Sequence, residues 1–265
     1  MKVVHGSVWR HRLFWWMGLA GLPVLAVQGR WVRRKTPRLP EASGEWRGCS
    51  GRANVAHNLY LLGESTIAGV GVDVMHKALA GQLANALSGE SGSKVSWQAL
   101  GKNGLKCADT TSELLPSFRQ AQKDAAANLV VIALGVNDTT GLTSLNAWQR
   151  QLVHMLEEIR SVTDCPIVFA AIPPVHLFSA LSQPLSTVLG ARARLLDKAL
   201  KDVAKAHSQV FHMDTVFSFQ PDYLASDGYH PSEKGYRLWG EQLARQIHAA
   251  GLLERSEVQD DLIGG

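Results

Sequence analysis

The sequence contains only three cysteines among its 265 residues, and they are scattered at Cys49, Cys107 and Cys165. Their number and spacing exclude a disulfide framework, and no Cys-x-x-Cys or paired Cys/His spacing indicates a structural zinc site. The sequence also lacks internal repeats and low-complexity tracts, which excludes a collagen-like chain. A composition of 46% hydrophobic and 19% charged residues instead fits a packed globular protein that needs no metal.

Acidic residues are missing from the first 40 positions, although eight Lys and Arg residues lie there. Residues 41–265 therefore hold 19 basic and 23 acidic side chains, a net charge of −4, while the whole chain has a net charge of +4. Because the excess of basic residues belongs to the N-terminal segment, we expect no nucleic-acid-binding face on the main domain.

Charge is also absent from residues 13–29, LFWWMGLAGLPVLAVQG, which have basic residues on both sides. A helix of this length spans ~25 Å, slightly less than a ~30 Å hydrocarbon core, and Pro23 would bend or break it. We predict that residues 1–35 are a membrane-anchor or signal-like segment that associates with a membrane. A short anchor, a signal peptide, an interfacial segment and an ordinary first helix all remain open. If the segment spans a membrane, the larger number of basic residues after it favours a cytoplasmic main domain. If it is instead cleaved as a signal peptide, the main domain would be exported.

The rest of the chain divides into a linker, a domain and a tail. Residues 36–56 are rich in Pro, Gly and Ser and show no periodicity, which predicts a linker. Over 57–250 short apolar runs alternate with longer amphipathic stretches, which predicts a five-stranded parallel sheet with helices on both faces, an α/β three-layer α/β/α sandwich. A tail follows at 251–265. The predicted strands are 58–63, 95–101, 129–135, 166–172 and 209–214, and the predicted helices lie near 71–88, 108–124, 144–162, 187–207 and 232–250.

Ser65 is a candidate nucleophile because ligands bind at the carboxyl ends of the strands in such sheets. It follows the first predicted strand and precedes a helical pattern, so its hydroxyl would lie at a strand-to-helix turn. A helix N-cap serine occupies the same kind of position. A nucleophilic serine needs a histidine base that a third group orients, so the interpretation depends on finding that pair.

His230 differs from the other nine histidines because a carboxylate, Asp227, lies three residues before it in a loop. Gly228 between them permits a tight turn, in which Asp227 holds one ring nitrogen while the other faces Ser65. The same pattern before a proline is also typical of a plain turn. His212 with Asp214 is a weaker rival pair, because a strand provides no turn to orient them.

Gly104 and Asn137 also follow predicted strands, and both could donate hydrogen bonds to an oxyanion. Gly104 would offer its backbone N–H and Asn137 its side-chain amide. Gly and Asn also favour turns without any catalytic role. The catalytic interpretation gains weight because these residues, Ser65 and the Asp227/His230 pair all fall at one edge of the predicted sheet.

Four sequence blocks together resemble the SGNH hydrolases, also called the GDSL lipase/esterase superfamily, over about residues 57–250. In chain order they are Gly63-Glu64-Ser65, Gly104, Gly135-Val136-Asn137-Asp138 and Asp227-Gly228-Tyr229-His230-Pro231. The resemblance implies a flavodoxin-like fold and hydrolysis of esters or thioesters without metal or cofactor, on a small-molecule or lipid substrate.

The resemblance also implies a role for each matching residue. Ser65 would be the nucleophile, His230 the general base and then acid, and Asp227 the group that orients the imidazole. The N–H groups of Ser65 and Gly104 and the amide of Asn137 would form the oxyanion hole. A non-catalytic, membrane-tethered binding module of the same fold and an acyltransferase using the same site remain alternatives.

Two departures from the family pattern leave the substrate class open. Glu64 stands where the family usually has Asp, and the block around Gly104 reads Gly-Lys-Asn-Gly-Leu-Lys where a small residue and Thr are common. Asp138 is expected to be structural. The nucleophile elbow of the ordinary α/β-hydrolases is disfavoured, because it requires Gly at the position of Ile67.

Overall fold

A computed structural model describes residues 23–53, 56–214 and 220–253 of the chain. The strands of this part form one six-stranded sheet in the order β1-β3-β2-β4-β5-β6. Strands β2 to β6 are parallel, and β1 pairs antiparallel with β3 at the edge. The strands are β1 Arg47–Ser50, β2 Ala56–Gly63, β3 Lys94–Gly101, β4 Leu129–Ala133, β5 Ile167–Ala170 and β6 Val210–Met213. The five parallel strands have the flavodoxin-like order 2-1-3-4-5, which confirms the predicted fold class.

The helices lie on both faces of this sheet. Residues 23–35 are helical and are called α1 here. The others are α2 Leu79–Ser91, α3 Cys107–Glu113, α4 Leu115–Asp124, α5 Val136–Thr140, α6 Leu145–Arg160, α7 Leu185–Lys205 and α8 Glu233–Ala249. Successive strand residues point to opposite faces, so each face of the sheet builds its own core.

Two hydrophobic cores result from this alternation. Tyr60 and Leu62 of β2 contribute to the core that contains residues of α4, α6 and α7. Leu59 and Leu61 contribute to the opposite core, which contains residues of α2 and α8. All five residues of β4 are buried, which is typical of a parallel strand covered on both faces and explains its uninterrupted apolar run.

The sheet has six strands rather than the five predicted, because β1 lies inside the segment predicted as a linker. Its sequence, RGCS, has no apolar alternation, and three of its four residues are exposed. The strand is held by backbone pairing with β3 at the sheet edge, for example between Gly48 and Trp97. Hydrophobic periodicity cannot reveal a strand that buries almost no apolar surface.

Two predicted helices also differ from the structure. The helix predicted near 71–88 begins only at Leu79, after a turn over residues 65–70 and a short 3-10 turn at Met75–Lys77. The helix predicted near 108–124 is divided into α3 and α4 at Leu114. Pro116 follows at the start of α4, where its missing N–H is tolerated.

The predicted anchor segment lies mostly outside the described residues, and only its end is visible as α1. Val32 of α1 is buried in one core, and Gln28 donates a hydrogen bond to the carbonyl of Gln183 at 2.7 Å. Among the described residues, no helix has the length and apolar character needed to cross a bilayer. The predicted tail at 251–265 lies outside the described residues beyond position 253.

Candidate active site

The ends of three central strands place the candidate residues side by side. Gly63, the last residue of β2, pairs with Gly101 of β3 on one side and with Ala133 of β4 on the other. The segments that follow these strands therefore leave the sheet at the same edge. Ser65 is in the first of them, and Gly104 and Asn137 are in the other two.

The structure brings Ser65, His230 and Asp227 together in one hydrogen-bonded chain. Oγ of Ser65 lies 3.0 Å from Nε2 of His230, and Nδ1 of His230 lies 2.6 Å from Oδ2 of Asp227. An ionised carboxylate only accepts hydrogen bonds, so Nδ1 carries the ring proton and Nε2 is left to accept the proton of the serine hydroxyl. The imidazole is held in the tautomer that a general base requires.

A tight turn builds the Asp227/His230 pair. Oδ1 of Asp227 accepts hydrogen bonds from the backbone N–H groups of Tyr229 and His230 at 2.9 and 3.0 Å. Gly228, which directly follows Asp227, adopts a φ of +65°. Pro231 and the N-cap Ser232 follow, and the Ser232 hydroxyl accepts the N–H of Gly235 at the start of α8. The loop that carries His230 is thus fixed at its start by hydrogen bonds to the Asp227 carboxylate and at its end by the N-cap of α8.

Asp227 is buried, with 1% of its side chain exposed, against 15% for His230. Burial alone would raise the pKa of Asp227, but the hydrogen bonds from the His230 ring and from the N–H groups of His230 and Tyr229 outweigh it and hold the pKa below its usual value. Asp227 is therefore a carboxylate at neutral pH.

Glu64 forms hydrogen bonds with the start of α5. Its two carboxyl oxygens accept the N–H groups of Val136 and Asn137, each at 3.0 Å. Burial raises the pKa of Glu64 to about 8, against the lowering effect of these two hydrogen bonds and of the Asn137 side chain. Glu64 therefore connects the turn after β2 to Asn137.

Two of the three predicted oxyanion donors, Gly104 and Asn137, line one cavity with the Asp227/His230 pair, whereas Ser65 lines a second cavity that also includes His230. Gly104 has a φ of +82°, and in the described part of the chain its N–H makes no hydrogen bond. Nδ2 of Asn137 donates to the carbonyl of Leu105 at 3.0 Å, and the Asn137 side chain also interacts with the Glu64 carboxyl group.

Asn137→Ala is expected to lower kcat for ester hydrolysis by about 10²- to 10³-fold, because it would remove one of the predicted oxyanion donors. KM should change little, since the donor acts on charge that develops after binding. Steady-state kinetics on a p-nitrophenyl ester measures this, with Asn146→Ala on the exposed side of α6 as the matched control. A fall in kcat of less than threefold would remove Asn137 from the oxyanion hole.

Residues 61–238 match the GDSL-like lipase/acylhydrolase family. The chain belongs to this family. It is accordingly an ester-hydrolysing enzyme, and the sequence resemblance to SGNH hydrolases is confirmed.

Similar solved structures agree with this GDSL-family fold. A lipase/acylhydrolase from Enterococcus faecalis is 21% identical to this chain and superposes with a TM-score of 0.55. The match covers 73% of this chain and 96% of the Enterococcus chain. A family 3 carbohydrate esterase from Clostridium thermocellum is 17% identical, with coverages of 74% and 99% and a TM-score of 0.58. The psychrotrophic esterase EstA from Pseudoalteromonas sp., solved with monoethylphosphonate as inhibitor, is 14% identical, with coverages of 73% and 98% and a TM-score of 0.55. No curated protein matches the chain.

Asp138 in the GDSL-family domain links two helices. Asp138, expected to be structural, is buried and accepts hydrogen bonds from the N–H of Cys107 and the hydroxyl of Thr143. It therefore ties α3 to α5. Burial raises the pKa of Asp138, although these hydrogen bonds lower it.

In the described part of the chain, no hydrogen bond joins the rival pair His212/Asp214 to a serine. Nε2 of His212 lies 3.0 Å from Asp197, and its Nδ1 lies 3.5 Å from Asp214, which also accepts hydrogen bonds from Lys201. These three His and Asp side chains are potential metal ligands. Because the two carboxylates face different ring nitrogens, a single ion cannot use all three in this arrangement.

The main cavity of about 930 Å³ also has walls that sequence analysis did not predict. Apolar residues from α1, from the loop after α5 and from the segment that includes the start of α7 line it beside His230. They are Leu25, Val32, Leu142, Leu181, Leu185 and Leu189. Residues 25, 29, 32 and 36 recur at helical spacing and all line the cavity, so one face of α1 forms part of its wall. Ser65 and His230 line a second, much smaller cavity together with Pro173 and Phe178.

Proposed function

We propose that the protein hydrolyses carboxylic esters or thioesters through an acyl-enzyme formed on Ser65. The observation that carries this proposal is the continuous hydrogen-bonded chain from Asp227 through His230 to Ser65. A serine hydroxyl is inert at neutral pH until a base removes its proton, and the buried carboxylate keeps that base correctly oriented.

In the first half-reaction Nε2 of His230 accepts the hydroxyl proton while the Ser65 oxygen attacks the carbonyl carbon of the ester. Asp227 stabilises the imidazolium that forms. The N–H groups of Ser65 and Gly104 and the amide of Asn137 donate hydrogen bonds to the oxyanion. His230 then gives its proton to the departing alcohol or thiol, and the acyl group stays on Ser65.

In the second half-reaction His230 removes a proton from water, which attacks the acyl carbonyl carbon. The tetrahedral intermediate uses the same oxyanion donors, and its collapse releases the carboxylic acid as His230 returns the proton to the Ser65 oxygen. The apolar walls from α1 and α7 support a substrate whose acyl or alkyl chain is excluded from water.

Labelling with a fluorophosphonate probe tests the activation of Ser65, because a phosphorus(V) centre reacts with an activated serine oxygen as the ester carbonyl does. The full chain is used, since α1 forms part of the cavity wall. We expect a stoichiometric adduct on the peptide that contains Ser65, identified by mass spectrometry.

The adduct should be lost in His230→Ala and retained in His154→Ala, which removes an exposed histidine of α6. Circular dichroism shows whether each variant is folded. Folded wild-type protein without an adduct, or equal labelling of the two histidine variants, would overturn the proposal.

A further inference from the structure

The cavity beside His230 has a cationic wall as well as an apolar one. Arg30 and Arg33 of α1 and Arg38 just beyond it line the same space as Gly104 and Asn137. All three arginines are exposed, so their guanidinium groups reach solvent at the cavity mouth. A ligand in this cavity would therefore contact His230, aliphatic side chains and guanidinium groups within one space.

Among the residues that the structure describes, these arginines have no partner of opposite charge. Within the described ranges, none of the three forms a salt bridge or hydrogen bond, although the same structure pairs other cations, such as Arg119 with Glu158 and Lys102 with Glu113. Three guanidinium groups around one cavity repel each other unless an anion lies between them. Their unpaired state favours an anionic ligand.

Arg33 is close enough to the catalytic loop to influence it electrostatically. Burial raises the pKa of Tyr229 strongly, and the charge of Arg33 acts against that rise. Tyr229 directly precedes His230 and lines the same cavity. An anion bound by Arg33 would accordingly lie near the reacting groups rather than at a remote surface.

The apolar wall specifies the other part of the ligand. Leu181, Leu185, Val188 and Leu189 present aliphatic side chains from α7 and the loop before it, and Leu25 and Val32 face them from α1. A cavity of about 930 Å³ has room for a drug-sized or short-chain lipid molecule. A free inorganic anion would leave this apolar surface unused.

We propose that the substrate of this site is an ester that combines a hydrocarbon chain with an anionic group, a phosphate or a carboxylate, and that Arg30, Arg33 and Arg38 bind the anion. The inference rests on the proposed serine hydrolase function and names its substrate class. Guanidinium groups suit this task because they form bidentate hydrogen bonds with phosphate and carboxylate oxygens.

Two matched pairs of esters test the proposal and separate the two positions of the charge. Octanoylglycerol phosphate is compared with octanoylglycerol, which places the charge on the alcohol side. Mono-p-nitrophenyl adipate is compared with p-nitrophenyl hexanoate, which places it on the acyl side at equal chain length. All four are used as monomers in solution, and kcat/KM is measured for each with the full-length protein.

In at least one pair we expect the kcat/KM of the wild-type protein to be higher for the anionic ester. The ratio of anionic to neutral kcat/KM should fall about tenfold in Arg33→Gln and further in the Arg30→Gln/Arg33→Gln double variant. Arg34→Gln is the matched control, because Arg34 is exposed on the same helix and does not line the cavity. Raising the salt concentration should reduce the preference of the wild-type protein, because these charges are exposed.

The outcomes distinguish the two proposals. If Ser65-dependent hydrolysis occurs but the ratio of anionic to neutral kcat/KM is the same in Arg33→Gln and Arg34→Gln for both pairs, the anion site is wrong and the hydrolase function stands. If folded protein hydrolyses none of the four esters, the proposed function fails and this inference fails with it.

Discussion

Ser65→Ala is expected to reduce kcat/KM for short p-nitrophenyl esters by about 10⁴- to 10⁶-fold, to the level of oxyanion stabilisation and binding alone. The hydroxyl that Nε2 of His230 contacts at 3.0 Å is removed, so the proposed acyl-enzyme could not form. His230→Ala should lose a similar amount, because nucleophile and base act as one unit and their effects do not add. The double variant should therefore be no worse than either single variant. Steady-state and single-turnover kinetics measure this.

Controls for this prediction come from exposed residues of the same types. Ser117→Ala on α4 and His154→Ala on α6 remove an exposed serine and histidine that lie outside the site, and they should keep wild-type rates. Thermal unfolding followed by circular dichroism shows that Ser65→Ala is folded. Turnover within tenfold of wild type in Ser65→Ala would contradict the assignment of the nucleophile.

Asp227→Asn is expected to lower kcat by about 10⁴-fold while leaving the fold and KM nearly unchanged. The asparagine oxygen can still accept the N–H groups of Tyr229 and His230, so the turn survives. Its amide nitrogen faces Nδ1 of His230 and donates to it, which moves the ring proton to Nε2. The imidazole then cannot accept the proton of Ser65.

A matched exposed position isolates this effect. Asp164→Asn makes the same chemical change between α6 and β5, away from the catalytic loop, and should leave kcat unaltered. A loss below tenfold in Asp227→Asn would show that His230 keeps its tautomer without the carboxylate, and Asp227 would then be a residue of the turn only.

The parallel strands and the Asp227/His230 turn could be predicted from local sequence because each depends on neighbouring residues. The strand β4 is an uninterrupted apolar run, and buried parallel strands must be apolar on both faces. The Asp227/His230 turn likewise depends on three consecutive peptide units and a glycine with positive φ. Such patterns are local, so they can be read without knowing the fold.

The role of Glu64 shows where local information ends. Its partners, the N–H groups of Val136 and Asn137, lie more than 70 positions later in the chain. The sequence shows only that a carboxylate precedes Ser65. Its position against the start of α5 follows from the pairing of β2 with β4, which brings the two strand ends together.

By itself, the sequence determined the five parallel strands, the type of fold and the residue types of the candidate site, because apolar runs and turn residues act over a few positions. Only the tertiary structure decided that Ser65 meets His230 across 165 positions, that β1 adds an edge strand, and that α1 lines the cavity with two arginines. These features depend on backbone pairing at a sheet edge and on packing between distant segments. Neither leaves a periodic pattern in the segment itself, so they emerge only when the chain is folded.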